Sequence, residues 1–103
     1  MPTKPKLSES DIDAALRAAP HWRREDRTIV RDVKTHAFSD GVRLVGEIAV
    51  LADASEHHPD VELSYGKVRF SLTTHDAGGL TELDFGLARH IDSHLERTRR
   101  ERP

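Results

Sequence analysis

Two amphipathic stripes, one long apolar face and one strictly alternating segment organise this chain. Ile12, Ala15, Leu16 and Ala19 recur at i, i+3, i+4 and i+7, which is the buried face of a helix. Ser8, with Asp11 three residues on, supplies its cap; Leu7 and Ile12 stand at the positions of a hydrophobic staple, and Pro20 ends it. Val42, Val45, Ile48, Ala49 and Ala52 describe a second helical face, beginning at Ser39 or Asp40 and running to about Ser55. Leu87, Ala88, Ile91 and Leu95 describe a third, capped by Thr81 with Asp84 three residues on and stapled by Leu80 and Phe85.

Between the helices the period changes. Val61, Leu63 and Tyr65, then Val68, Phe70 and Leu72 beyond the Tyr65-Gly66 turn, alternate with polar residues and predict a hairpin with one buried face. From Trp22 to about Lys34 the β-branched residues Thr28, Ile29, Val30 and Val33 predict two short strands turned around Glu25-Asp26, with a less regular alternation. Gly78 and Gly79 mark a tight connection from the second hairpin to the last helix. The order αββαββα predicts an α+β domain with an antiparallel sheet and helices packed on one face.

Composition narrows the chemistry. The 103 residues read as a single domain, 1–103, with 1–6 and 98–103 as frayed tails. There is no cysteine, which removes disulfides, thiol nucleophiles and Cys-based metal sites. With 16 basic and 18 acidic residues the net charge is −2, too little field to draw in nucleic acid directly; the basic run Arg97, Arg99, Arg100 and Arg102 reads as a solvated end. The apolar run Ile48–Ala52 falls far short of the ~18 residues a membrane span needs, and a cytoplasmic location is expected.

Seven histidines remain to be placed. His21, His36, His90 and His94 suit surface or helix-edge roles, and Trp22 and Tyr65 suit a core or subunit contact. His57, His58 and His75 fall at junctions between regular elements, where loops on a rigid scaffold carry function. The hairpin can bring Thr74–Ala77 beside the His57-His58 pair, gathering three imidazoles whose unperturbed pKa lies nearest neutrality. Asp53, Glu56 and Asp76 stand close by in sequence and can orient them. On spacing alone, Glu56-His-His-Pro59 reads equally well as a polar helix exit, and Asp84 is fully explained as a helix-capping carboxylate. A His/carboxylate metal site is disfavoured, because adjacent His57 and His58 point apart in an extended segment.

The segments Asp53-Ala-Ser-Glu-His57-His58-Pro59, Tyr65-Gly-Lys-Val68 and Leu72-Thr-Thr-His75-Asp76-Ala-Gly-Gly-Leu80-Thr-Glu-Leu-Asp84 resemble the pterin-4a-carbinolamine dehydratase family, over roughly Leu7 to Leu95. The resemblance implies a four-stranded antiparallel sheet with three helices on one side, in a homodimer or homotetramer built through strand edges and helices. It implies dehydration of a 4a-hydroxytetrahydropterin to the quinonoid dihydropterin, without metal or cofactor, in pterin recycling after an aromatic amino acid hydroxylase. It places His57, His58 and His75 as the catalytic imidazoles, with Pro59, Thr74, Asp76 and Ala77 lining the pterin beside them. Asp53, Glu56 and Asp84 are implied as supporting acids. The same family includes a protein described as a dimerisation cofactor of a transcription factor, so a binding or stabilising role is the alternative.

Overall fold

The computed structural model describes residues 4–101. Its elements are α1 (Glu9–Arg17), β1 (Arg23–Glu25), β2 (Thr28–Lys34), α2 (Phe38–Ser55), β3 (Asp60–Ser64), β4 (Lys67–Leu72) and α3 (Glu82–Glu101). The strands form one antiparallel sheet in the order β1-β2-β4-β3. This is the α+β arrangement of three helices and four strands expected from the sequence.

Local chemistry accounts for the element ends. Ser8 accepts the Asp11 N–H at 3.1 Å and caps α1. That helix closes at Arg17, short of Pro20, because the residue before a proline is disfavoured in the helical region. The second helix starts one residue earlier than expected: Asp40 does not cap it but reaches back from its first turn to the Ala37 N–H at 3.0 Å. Both hairpins use two-residue turns, Asp26-Arg27 and Tyr65-Gly66, with Asp26 and Gly66 at positive φ. Backbone helix continues through 98–101, while 1–3 and 102–103 of the expected tails lie outside the described residues, as do the side chains of the basic run from Arg99 onward.

The core lies between the sheet and the helices. Ile29, Val68, Phe70 and Leu72 from the sheet meet Ile12, Leu44, Ile48, Phe85, Ala88 and Ile91 from the helices, a burial that provides most of the drive to fold. The register explains why the β2 pattern was untidy. Arg31 is paired with Phe70 and so faces the core side, where its guanidinium joins Asp92 of α3 and Asp92 also accepts the Trp22 indole N–H at 2.9 Å. Val30 is buried although it lies on the opposite face and outside the core cluster. A charged residue inward and an apolar one outward defeat a period-two reading. Among the described residues, no helix is long and apolar enough to cross a membrane.

Candidate active site

The site is assembled at the C-terminal end of α2, the loop after β4 and the first turn of α3. Glu56 leaves α2 in a left-handed conformation, φ 53° and ψ 35°. Its N–H and that of His57 turn back to Asp53 and Ala52 carbonyls, both at 3.2 Å, closing the helix end. The reversal separates the two imidazoles. His57 is directed inward, with a side chain 11% exposed, while His58 is 62% exposed. Half-buried Pro59 then leads into β3.

The facing loop is pinned at its base. Thr74 and Gly79 exchange backbone hydrogen bonds of 3.1 and 3.3 Å, and Gly78 takes φ 75°, which favours glycine. A single 3-10 turn, His75–Ala77, crosses the tip and leaves His75 and Asp76 exposed and Ala77 half-buried.

Asp84 joins the two segments. Its side chain is fully buried, and Oδ1 lies 2.6 Å from His57 Nε2. Oδ2 accepts the Thr81 backbone N–H at 2.9 Å and the Thr74 hydroxyl at 2.8 Å. The Thr81 hydroxyl lies 2.8 Å from that of Thr74 and accepts the Leu83 N–H at 3.1 Å. The expected capping box of α3 is therefore present, and it is also the support of an imidazole. A buried carboxylate is tolerable only when donors surround it, and here three do.

With Asp84 ionised and His57 neutral, hydrogen counting gives every bond a direction. A carboxylate only accepts, so the neutral His57 ring carries its proton on Nε2 and leaves the Nδ1 lone pair free. For the same reason the Thr74 proton points at Asp84, and the Thr81 hydroxyl donates to Thr74 Oγ1.

Of the residues singled out in the sequence, His57, Thr74 and Asp84 are directly linked, and His75 follows Thr74 in the chain with its side chain exposed. The acid on His57 is Asp84. Asp53 instead bonds His58 Nε2 at 3.0 Å, and the part Glu56 plays is in the backbone reversal. Thr81 was read only as a cap; its second contact, through Thr74, has no local sequence signal. His94, expected at a helix edge, bonds Glu47 of α2 at 2.8 Å. Among the described residues no group of three or more His, Asp or Glu converges in a way that could hold a metal ion.

Comparison with known proteins places the chain in a family. The family model described as pterin 4 alpha carbinolamine dehydratase matches residues 5–94, a span that contains both loops and the first turn of α3. A protein of Chloroflexus aurantiacus named "Putative pterin-4-alpha-carbinolamine dehydratase" is 48% identical over 88 residues, 85% of this chain and 95% of its own length. A protein of the same name from Mycobacterium sp. strain KMS is 43% identical over 91 residues, 88% of this chain and 97% of its own. The crystal structure of a transcriptional coactivator/pterin dehydratase from Brucella melitensis superposes with a TM-score of 0.80 at 34% identity, covering 85% of this chain and 96% of that one. The chain belongs to the pterin 4 alpha carbinolamine dehydratase family, a family of hydro-lyases.

Proposed function

We propose that this protein dehydrates a 4a-hydroxytetrahydropterin to the quinonoid dihydropterin by histidine-based general acid and base catalysis. The observation that carries this reading is the His57–Asp84 pair, 2.6 Å apart with the carboxylate fully buried. It holds an imidazole against a buried carboxylate where two loops meet.

In the reaction the ring nitrogen beside the carbinolamine carbon loses a proton, and its electron pair forms the C=N bond. The C–O bond breaks as that bond forms, and the hydroxyl takes up a proton and leaves as water. One base and one acid are required, and an imidazole serves either role near neutral pH. His57 is suited to be the base. Nδ1 can accept the nitrogen's proton, and the imidazolium that forms is stabilised by the Asp84 carboxylate on Nε2. His75, exposed at the tip of the adjacent loop, is assigned the acid. His58, held by Asp53, is assigned to binding the pterin together with Pro59, Asp76 and Ala77. Each transfer contributes about 10²–10⁴-fold.

The test is the rate of carbinolamine dehydration followed by absorbance. His75→Ala should lose turnover; wild-type speed in that variant removes the role given to His75. The reading places the protein in recycling of tetrahydropterin after a hydroxylase, in the cytoplasm and as a homo-oligomer. Phe38 and Val42, one turn apart on α2 and each half exposed, offer a surface for a second copy.

A second reading is favoured by the Brucella melitensis relative, which is described as a transcriptional coactivator. In it the protein serves as a binding or stabilising partner, with catalysis secondary. Partner stabilisation that survives replacement of His57 and His75 would separate the two roles.

A further inference from the structure

We propose that Thr74 is a positioning residue for the dehydration, acting through Asp84 and not by touching the pterin. The inference rests on the proposed dehydratase reading for its kinetic part only. Thr74 is 6% exposed, and its hydroxyl proton and one of its two lone pairs are engaged within the protein. The proton goes to Asp84 Oδ2 at 2.8 Å, and the lone pair receives the Thr81 hydroxyl at 2.8 Å. Its one proton is committed to Asp84, and what remains is a single lone pair on a nearly buried oxygen.

What it offers is a bias on the proton between Asp84 and His57. Two arrangements fit a 2.6 Å contact: an ionised carboxylate accepting Nε2–H, or a protonated carboxyl donating to an Nε2 lone pair, with the ring proton on Nδ1. Only the first leaves Nδ1 able to accept the substrate's proton. Donors aimed at Asp84 favour its ionised form. The Thr81 backbone N–H supplies one at 2.9 Å and the Thr74 hydroxyl the other. The Thr81 hydroxyl holds the second in place, because its own proton points at Thr74 Oγ1 and a Thr74 proton turned toward it would meet it head-on. The ordered pair therefore sets the tautomer of an imidazole that neither threonine contacts.

The experiment is nitrogen NMR of ring-labelled histidine, with the His57 signals assigned by comparison with His57→Gln, together with steady-state kinetics. Wild type should show a protonated Nε2 and a bare Nδ1. Thr74→Val, close to isosteric, should move His57 toward the Nδ1–H form and lower kcat by about tenfold or more, as expected for loss of a donor to a charged group. KM should stay within about twofold, because no ligand contact is lost. Thr74→Ser should restore both readouts. A wild-type ring protonated on Nδ1 overturns the proposal. So does a Thr74→Val protein that keeps the Nε2–H form and its kcat, or one that changes only in KM. Should Thr74→Val not fold, the wild-type and Thr74→Ser spectra still decide, since both must show Nε2–H. Absence of turnover in wild type, with the tautomer responding to Thr74 as described, overturns the dehydratase reading and leaves the control of His57 by Thr74 standing.

Discussion

His57 Nε2 and Asp84 Oδ1 lie 2.6 Å apart although 27 residues separate them in the chain. The contact joins the exit of α2 to the entry of α3 and gives a helix-capping carboxylate a second task. Asp84→Asn should separate the two. The amide oxygen can still accept from Thr81 and Thr74, but its NH₂ group then faces His57 and requires a lone pair on Nε2. The ring proton moves to Nδ1 and the base is lost. Turnover should fall by about 100-fold or more, while the weakened charge-assisted bonds cost about 1–3 kcal/mol of stability. Turnover and urea unfolding measured on one preparation check both. A variant with native turnover would show that the carboxylate serves the fold alone.

Glu56 occupies the left-handed region at φ 53° without being glycine. That conformation costs a side-chain-bearing residue roughly 1–2 kcal/mol, and the extra freedom of glycine in the unfolded chain offsets part of the relief. Glu56→Gly should raise unfolding stability by about 0.5–1 kcal/mol, read from the urea midpoint at constant slope. A loss of stability would mean that the Glu56 side chain makes a contribution larger than the strain.

Two glycines of α2 give opposite expectations for one substitution. A Cβ on Gly41 would meet Leu63 Cδ1 at 2.6 Å and Val68 Cγ2 at 3.2 Å, whereas one on Gly46 meets nothing within 4 Å. Gly41→Ala should destabilise by about 1–3 kcal/mol by forcing α2 off the sheet. Gly46→Ala should stabilise by up to about 1 kcal/mol through helix propensity. Thermal unfolding of the two proteins side by side tests the packing of α2 on β3 and β4, and equal shifts would contradict it.

The extent to which the sequence foretold this structure follows from how local each cause is. The β3–β4 hairpin was legible because Val68, Phe70 and Leu72 point one way, all fully buried, and Gly66 supplies the turn. The caps of α1 and α3 were legible because Ser8 and Thr81 act within three residues. Strand β2 was harder to read, since Arg31 is held inward by Asp92, a partner 61 positions away. The site divides in the same way. Junction histidines pointed to the two loops that Asp84 joins, but the capping role of Asp84 was sufficient in itself, so nothing nearby announced that the same carboxylate reaches His57. Asp53 and Glu56 stood closer in sequence and looked the better partners. The left-handed turn at Glu56 is what directs His57 away from them.

On the solvent face of the sheet, Asp32 takes Arg69 through two bonds, at 2.7 and 3.3 Å, and Arg23 at 3.2 Å. The Arg69 guanidinium, seconded by Arg23, holds the Asp32 carboxyl below its usual 3.8. A carboxylate whose folded pKa is depressed contributes stability above its unfolded pKa and loses it as pH falls through the folded one. Wild type should therefore exceed Asp32→Asn by no more than about 1 kcal/mol near pH 7, given that the pair is surface-exposed. The gap should hold down to about pH 4 and close below it. Urea midpoints across pH 2–7 measure it, and a gap that widens on acidification would contradict the assignment.

We propose that the inward imidazole, His57, moves the proton and that its outward neighbour, His58, does not. The most direct measurement is the steady-state kinetics of 4a-hydroxytetrahydropterin dehydration by wild type, His57→Ala and His58→Ala over a range of substrate concentrations. His57→Ala should lose about 10²–10⁴-fold in kcat, and His58→Ala much less, with its loss mainly in KM. Equal losses in the two variants, or full speed without His57, would contradict it.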